Sequence, residues 1–297
     1  MYNLKENLMK EDRLVGGHRM CAGCGSPIAI RTVLRQLEPG DHAVVCSATS
    51  CLEVSTFMYP YTAWKDSFIH NAFENAGATI SGVETAYKAM KKRGKLDDTY
   101  KFIAFGGDGG TYDIGFQSLS GAMERGHDMV YVCYDNEAYM NTGIQGSSST
   151  YEGATTTTTP GGKKVGSKDL MKIAMAHNVA YAASASVCDL NDLRKKAIKA
   201  KEANGPAVLH VHAPCPTGWG YAPAKTIEVA RLAVETGAWV LYEYSEGKIK
   251  VNRKLKELKP MKDYFASQTR FKKVKAEELE RIQTIAKAKY EELLAKE

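Results

Sequence analysis

"FIAFGGDGGTYDIG", residues 102–115, joins an apolar run to a helical pattern through four glycines and one aspartate. An apolar run enters Gly106-Gly107-Asp108-Gly109-Gly110, and a helical pattern follows. The glycines let backbone approach a ligand closely. The first free N–H groups of the following helix favour an anion. No Gly-Lys-Ser/Thr follows, which excludes a Walker loop, and the central aspartate departs from GxGxxG. A carboxylate beside a phosphate pocket needs a cation between them. Mg²⁺ fits, held by one or two protein oxygens and the phosphates of the ligand. The next apolar run, "MVYVCYDNEAYMNTG" (129–143), supplies a second oxygen at Asn136, with 26 residues between Gly109 and Asn136. The plainer alternative is a glycine-rich turn with an aspartate cap.

Working outward, "HAVVC" (42–46), "KFIAF" (101–105), "MVYVCYD" (129–135) and "AVLHVH" (207–212) read as strands covered on both faces. Helical patterns lie between them at roughly 27–37, 74–93, 113–125, 167–177 and 189–203. Strand–helix alternation predicts an α/β fold, a parallel sheet with helices on both faces. The polar stretch 143–166, with five consecutive threonines, predicts a long irregular loop that is functional or mobile. Leu279, Ile282, Ala286, Tyr290 and Leu293 mark an amphipathic helix over 276–294. Residues 248–297 carry 15 Lys/Arg against 8 Asp/Glu, a charge of +7, which leaves −1 for the rest. The expected division is a main domain, 1–245, and a basic, largely helical extension, 246–297. A solvated surface is the expected role of that charge, ahead of nucleic-acid binding. The 297 residues contain no apolar run long enough for a membrane span, and the polar start lacks the core of a signal peptide. The expectation is a cytoplasmic protein.

Seven cysteines in a chain of this length point to free thiols or metal ligands rather than staples. Cys46, Cys133 and Cys188 sit in apolar or featureless surroundings and are expected to pack as small hydrophobes. Cys21 and Cys24 form a CxxC; Cys51 and Cys215 each follow a strand, where a parallel sheet binds ligands. Cys215 is followed by proline, as in ferredoxin-type cluster runs. Four soft thiolates suit Zn²⁺ or a [4Fe–4S] cluster. A single CxxC with two scattered partners suits the cluster better, because structural zinc sites repeat the knuckle.

Strand, Gly-Asp-Gly, helix, strand and Asn together are similar to the thiamine-diphosphate motif. That likeness implies Mg²⁺ on Asp108, Asn136 and the carbonyl of Ala138, with Gly107, Gly109 and Gly110 against the diphosphate. "HRMCAGCGSP" (18–27), "SATSCLEV" (47–54), "YPYTAW" (59–64), "HNAFENA" (70–76), "GGDGGTYDIG" (106–115), "DNEAYMNTGIQ" (135–145) and "HAPCPTGWGY" (212–221) extend it. In that order they resemble the β subunits of pyruvate:ferredoxin oxidoreductases (pyruvate synthases), within the 2-oxoacid:ferredoxin oxidoreductase family. The resemblance implies a [4Fe–4S] cluster on Cys21, Cys24, Cys51 and Cys215, with Cys24 and Gly25 close to the cofactor. It places Asn141 near the reacting carbons. It implies oxidative decarboxylation of pyruvate with CoA to acetyl-CoA and CO₂, with ferredoxin reduced; 2-oxoisovalerate or oxalate are alternative substrates. The implied partners are an α (pyrimidine-binding) subunit, γ and δ (ferredoxin-like) subunits and ferredoxin, with no nucleic acid and no membrane. The activating glutamate is expected on the α subunit; Glu53, Glu74 and Glu84 are the alternatives on this chain, with surface or structural roles expected for each. The basic tail is expected to dock sister subunits. Two rival readings are a non-redox decarboxylase or transketolase half, which needs no thiolate set, and a zinc-containing nucleic-acid-binding protein, which leaves "GGDGG" unexplained.

Overall fold

The computed structural model of the protein describes residues 9–297. Its eight strands are β1 (His42–Ser47), β2 (Ser67–His70), β3 (Tyr100–Gly107), β4 (Val130–Asp135), β5 (Tyr181–Ser186), β6 (Ala207–His212), β7 (Tyr242–Ser245) and β8 (Lys248–Val251). They form one sheet in the order β2-β1-β3-β4-β6-β5-β7-β8. The first six are parallel; β7 pairs antiparallel with β5, and β8 antiparallel with β7. The helices are α1 (Gly25–Leu34), α2 (Cys51–Thr56), α3 (Ala76–Lys92), α4 (Phe116–Glu124), α5 (Leu170–Ala176), α6 (Leu190–Glu202), α7 (Pro216–Trp219), α8 (Thr226–Glu235), α9 (Met261–Ala266) and α10 (Ala276–Ala295).

The near-continuous apolar strands serve two cores through the period-2 alternation of strand side chains. Val45, Val132, Tyr134, Leu209 and Val211 face one cluster with α1 and α6. Cys46, Tyr131, Cys133 and Val208 face the other with α3, α4, α5 and α10. Cys46 and Cys133 are thus core residues, as expected, and the Cys46 thiol donates to Ala76 O at 3.5 Å. Asp169 and Asp189 cap α5 and α6, accepting from Lys172 N at 3.1 Å and Asp192 N at 3.0 Å.

The expected parallel α/β sheet is present, with additions. β5, "YAASAS", is fully buried although Ala and Ser are poor strand formers; its place between β6 and β7 overrides local propensity. The helix expected over 113–125 is split into a π-helical turn, Gly110–Ile114, and α4. Such turns recur at functional sites.

The 245/246 line falls in the turn joining β7 to β8, so the extension continues the sheet. The apolar stripe of the tail docks on the parent domain, and the lysines of the tail stay exposed. The stripe is buried on this chain: Tyr290 and Leu293 in the second core, and Ile282 and Ala286 in a third cluster with Trp219, Phe265 and Phe271. Burial of each large member is worth roughly 1.5–3 kcal/mol. Lys289 pairs with Asp169 at 2.9 Å and Arg281 pairs with Glu152. No helix among the described residues is long and apolar enough to cross a membrane.

Candidate functional site

Four parallel strands, β1, β3, β4 and β6, deliver their C-terminal loops to one sheet edge. Those loops begin at Ala48, Asp108, Asn136 and Ala213. From β1 the chain runs to β2 on one side, and β3 lies on the other, so a crevice opens where the strand order diverges. Thr49, Ser50 and Cys51, then Gly107 to Gly110, then Asn136 and Ala138 to Thr142 line one cleft there.

Asp108 is buried, as are Asn136 and Ala138. One end of the Asn136 amide lies 2.8 Å from Ala138 O and 3.0 Å from Asp108 Oδ1. With nitrogen at that end, the amide donates two hydrogen bonds. With oxygen there, three oxygens converge at the ~3 Å spacing of neighbouring ligands in an octahedral Mg²⁺ shell. The second orientation is the one a divalent cation would select.

The surrounding charges support the same fit. Asp135 accepts from His210 Nε2 at 2.7 Å, from Ser149 Oγ at 2.5 Å and from Glu137 N at 2.9 Å. Burial opposes its ionisation, but the His210 hydrogen bond and charge leave the carboxyl below its ordinary value. Glu137 meets Arg270 Nη1 at 2.6 Å, and Asp113 meets Lys168 Nζ at 3.5 Å. Asp108 has no ion pair among the described residues; Ser147 donates a hydroxyl hydrogen bond to it. Burial, reinforced by Asp135, pushes its carboxyl well above the ordinary range. An anionic Asp108 therefore requires a cation.

Glycine at 109 is a matter of space: a Cβ there would lie 2.2 Å from the Tyr139 ring, whose hydroxyl donates to Gly109 O at 3.1 Å. Gly109→Ala is expected to cost about 1–3 kcal/mol by overpacking and to weaken diphosphate binding. Thermal unfolding and cofactor titration of that variant check both effects.

The four expected thiols gather at the neighbouring loops. Gly25 N donates to Pro214 O at 3.1 Å, and a Cβ on Gly25 would come within 2.8 Å of Ala213 C. The CxxC loop therefore lies directly on the backbone leading to Cys215. Cys24 and Cys215 sit at the N-caps of α1 and α7, and Cys51 is the first residue of α2. Gly218 N donates to Cys215 Sγ at 3.3 Å. Burial pushes the Cys51 thiol up to about 12, reinforced by Cys215, Cys24, Asp108 and Cys21 in turn. Burial raises Cys215 to about 11, again with Cys24 and Cys21 beside it. Cys51 thus feels both the thiol group and the aspartate. Cys46 is raised by burial alone. Cys188, half-buried, stands apart from the four, packed against the first core.

Asn141 is exposed on the cleft. None of Glu53, Glu74 and Glu84 lines that cleft. Glu53 is buried against His70, Glu84 holds Lys88 and His127, and Glu74 is exposed. Several site residues escaped the sequence reading. Ser147, Ser148 and Ser149 donate to Asp108, Asp113 and Asp135, and Thr150 Oγ1 donates to Glu137 O at 2.6 Å. The run "SSST" beside the motif was the available signal. Arg270, whose guanidinium also lies 3.7 Å over the Trp219 ring, had none. The 143–166 loop is irregular as expected, but it is packed: Ser147, Ser149, Thr150, Ala154, Thr156 and Lys163 are buried.

A doubly covered parallel sheet with a metal-ready Gly-Asp-Gly turn at its switch point defines a thiamine pyrophosphate enzyme domain. The family described as thiamine pyrophosphate enzyme, C-terminal TPP binding domain, matches residues 20–211. The chain is 50% identical to pyruvate synthase subunit PorB of Methanothermobacter thermautotrophicus, over 96% of this chain and 98% of that one. It is 52% identical to PorB of Thermotoga maritima over 89% and 84%. It is 43% identical to ketoisovalerate oxidoreductase subunit VorB of Pyrococcus furiosus over 95% and 93%. The chain belongs to this family of thiamine-pyrophosphate-dependent 2-oxoacid:ferredoxin oxidoreductase β subunits. The 2-oxoglutarate:ferredoxin oxidoreductase of Magnetococcus marinus shares the fold, with a TM-score of 0.57 at 20% identity over 72% of this chain and 77% of that one.

Proposed function

We propose that this chain is the diphosphate- and cluster-bearing half of a pyruvate-oxidising site, completed by sister subunits. The observation that carries the reading is Cys51, which lines the same cleft as Asp108 and lies within electrostatic reach of Cys215, Cys24 and Cys21. Asp108, Asn136 and the Ala138 carbonyl would hold Mg²⁺, and Gly107, Gly109 and Gly110 would take the diphosphate. Cys21, Cys24, Cys51 and Cys215 would hold a [4Fe–4S] cluster. Among the described residues, no three of these thiols gather within 4.8 Å.

Thiamine diphosphate, when bound, supplies a nucleophilic carbon and an electron sink for a 2-oxoacid, and the cluster an acceptor for single electrons. The protein's part is positioning. The Asp108 carboxylate fixes the cation, the small loop at 107–110 admits the phosphates, and Asn141 offers an amide on the cleft for the substrate carboxylate or carbonyl. Asp135, fixed by His210 and Glu137 N, orients the turn that presents Asn136 and Ala138. Among the described residues, Asp108 is the one acidic side chain that lines the cleft. The group that activates the cofactor pyrimidine is therefore assigned to an α subunit facing this edge, with γ and δ subunits and ferredoxin taking the electrons.

Pyruvate is the proposed substrate because the PorB relatives match at the higher identities. Reconstitution with the sister subunits, assayed by viologen reduction with CoA, is expected to give pyruvate the highest kcat/KM among 2-oxoacids. A preference for 2-oxoisovalerate would move the chain to the VorB side. The purified chain alone is expected to bind cofactor and iron yet oxidise no pyruvate; turnover at a normal rate would refute the divided site.

A further inference from the structure

Lys163 is a buried lysine without a carboxylate partner among the described ion pairs. Its Nζ donates to three backbone carbonyls of one tight turn: Ser147 O at 3.2 Å, Ser148 O at 3.1 Å and Thr150 O at 2.7 Å. Its own backbone is tied in turn, with Gly153 N donating to Lys163 O at 2.9 Å and Lys163 N to Ala154 O at 3.0 Å. The side chains of the clamped turn point the other way. Ser147 reaches Asp108, Ser148 reaches Asp113, Ser149 reaches Asp135 and Thr150 reaches the Glu137 carbonyl. Each hydroxyl satisfies a different oxygen on or beside the metal-ready set.

The geometry points to Lys163 as a positioning residue for the Mg²⁺–diphosphate site, acting through the Ser147–Thr150 turn. This rests on the Mg²⁺ reading proposed above. Three carbonyls converging on one ammonium pull the turn into a shape in which four successive hydroxyls face one direction. Without that charge the carbonyls repel one another, the turn relaxes, and the Ser147 hydrogen bond that orients the Asp108 carboxylate is lost. The Lys163 ammonium also lies within electrostatic reach of Glu137, Asp113, Asp135 and Asp108. An ammonium there keeps the acidic group compact before a cation arrives, so less reorganisation remains for binding. Outer residues that orient metal ligands typically govern metal affinity ten- to a hundredfold.

The test uses the assembled complex, stripped of divalent cations by chelation and titrated with MgCl₂ at fixed thiamine diphosphate, with cofactor binding read by calorimetry. Lys163→Met is expected to raise the Mg²⁺ concentration for half-maximal binding at least about tenfold. The visible iron–sulfur absorbance should stay as in the parent, while the cofactor-free melting temperature falls because three carbonyls lose their donor. An unchanged Mg²⁺ requirement overturns the proposal, as does a raised requirement that appears only with loss of the iron–sulfur absorbance. Ser147→Ala should raise the requirement as well. Adding it to Lys163→Met should add little, because both act on one link; independent, multiplying effects would overturn the assignment. Should the Met variant fail to assemble, Lys163→Gln, which keeps N–H donors without charge, carries the test with a smaller rise expected and no change refuting it. A parent complex that binds thiamine diphosphate without any divalent cation would instead sink the Mg²⁺ reading itself, and does so before any variant is made.

Discussion

Asp108→Ala is expected to abolish Mg²⁺-dependent thiamine diphosphate binding while leaving the iron content of the chain intact. The carboxylate is buried, carries no ion pair among the described residues and stands about one ligand spacing from the Asn136 amide. Its loss removes a ligand from the metal rather than an outer support, so the fall should exceed the ten- to hundredfold typical of the latter. Asp108→Asn separates binding from folding. A carboxyl whose folded pKa lies above its unfolded value of ~3.9 opposes folding once the pH rises past that unfolded value. Asp108 is such a group when no cation is present. At neutral pH the cofactor-free Asn variant should melt at the same temperature as the parent or higher, and lose its stabilisation by Mg²⁺ and thiamine diphosphate. Retained binding in the Ala variant would refute the ligand assignment.

The second large effect is a contrast between two cysteines five positions apart. Cys51→Ala should lose the cluster, seen as loss of the visible absorbance and of bound iron after anaerobic reconstitution. Cys46→Ala should keep both, at a cost of about 1 kcal/mol for a small core deletion. The reason lies in the register of β1. Cys46 points from the strand into the core, its thiol donating to Ala76 O. Cys51 lies beyond the strand end, at the start of α2, beside the other three thiols and Asp108. Leu52 N donates to Tyr134 OH at 3.3 Å, and the same hydroxyl reaches Ser50, so β4 pins the loop that presents Cys51. A cluster kept by Cys51→Ala and lost by Cys46→Ala would reverse the choice.

Much of this was legible in the residues because the decisive features are local. Gly-Asp-Gly after an apolar run requires a close backbone approach and a carboxylate at one point. The four strongest strands are buried on both faces, so their composition alone marks them. β2, β7 and β8 are four-residue strands near the sheet margins. Such pieces have too few positions for a period to show. β5 hid behind alanine and serine, chosen for fit in a crowded sheet rather than for strand propensity.

The residues alone fixed which groups are chemically available: a carboxylate, an amide and a carbonyl at a glycine-rich turn, the four soft thiols of Cys21, Cys24, Cys51 and Cys215, and a basic tail with one apolar stripe. They could not say how the carboxylates are divided among partners. That depends on residues far apart in the chain: Arg270 on Glu137, His210 on Asp135, Lys163 behind the serine turn, and for Asp108 no cation among the described residues. Nor could they say that the tail folds back, since an amphipathic stripe shows that a face will be buried but not against what. Both answers come from the tertiary structure, because hydrogen bonds and ion pairs are settled by distance in space, and only the parallel sheet brings these separated loops to one edge.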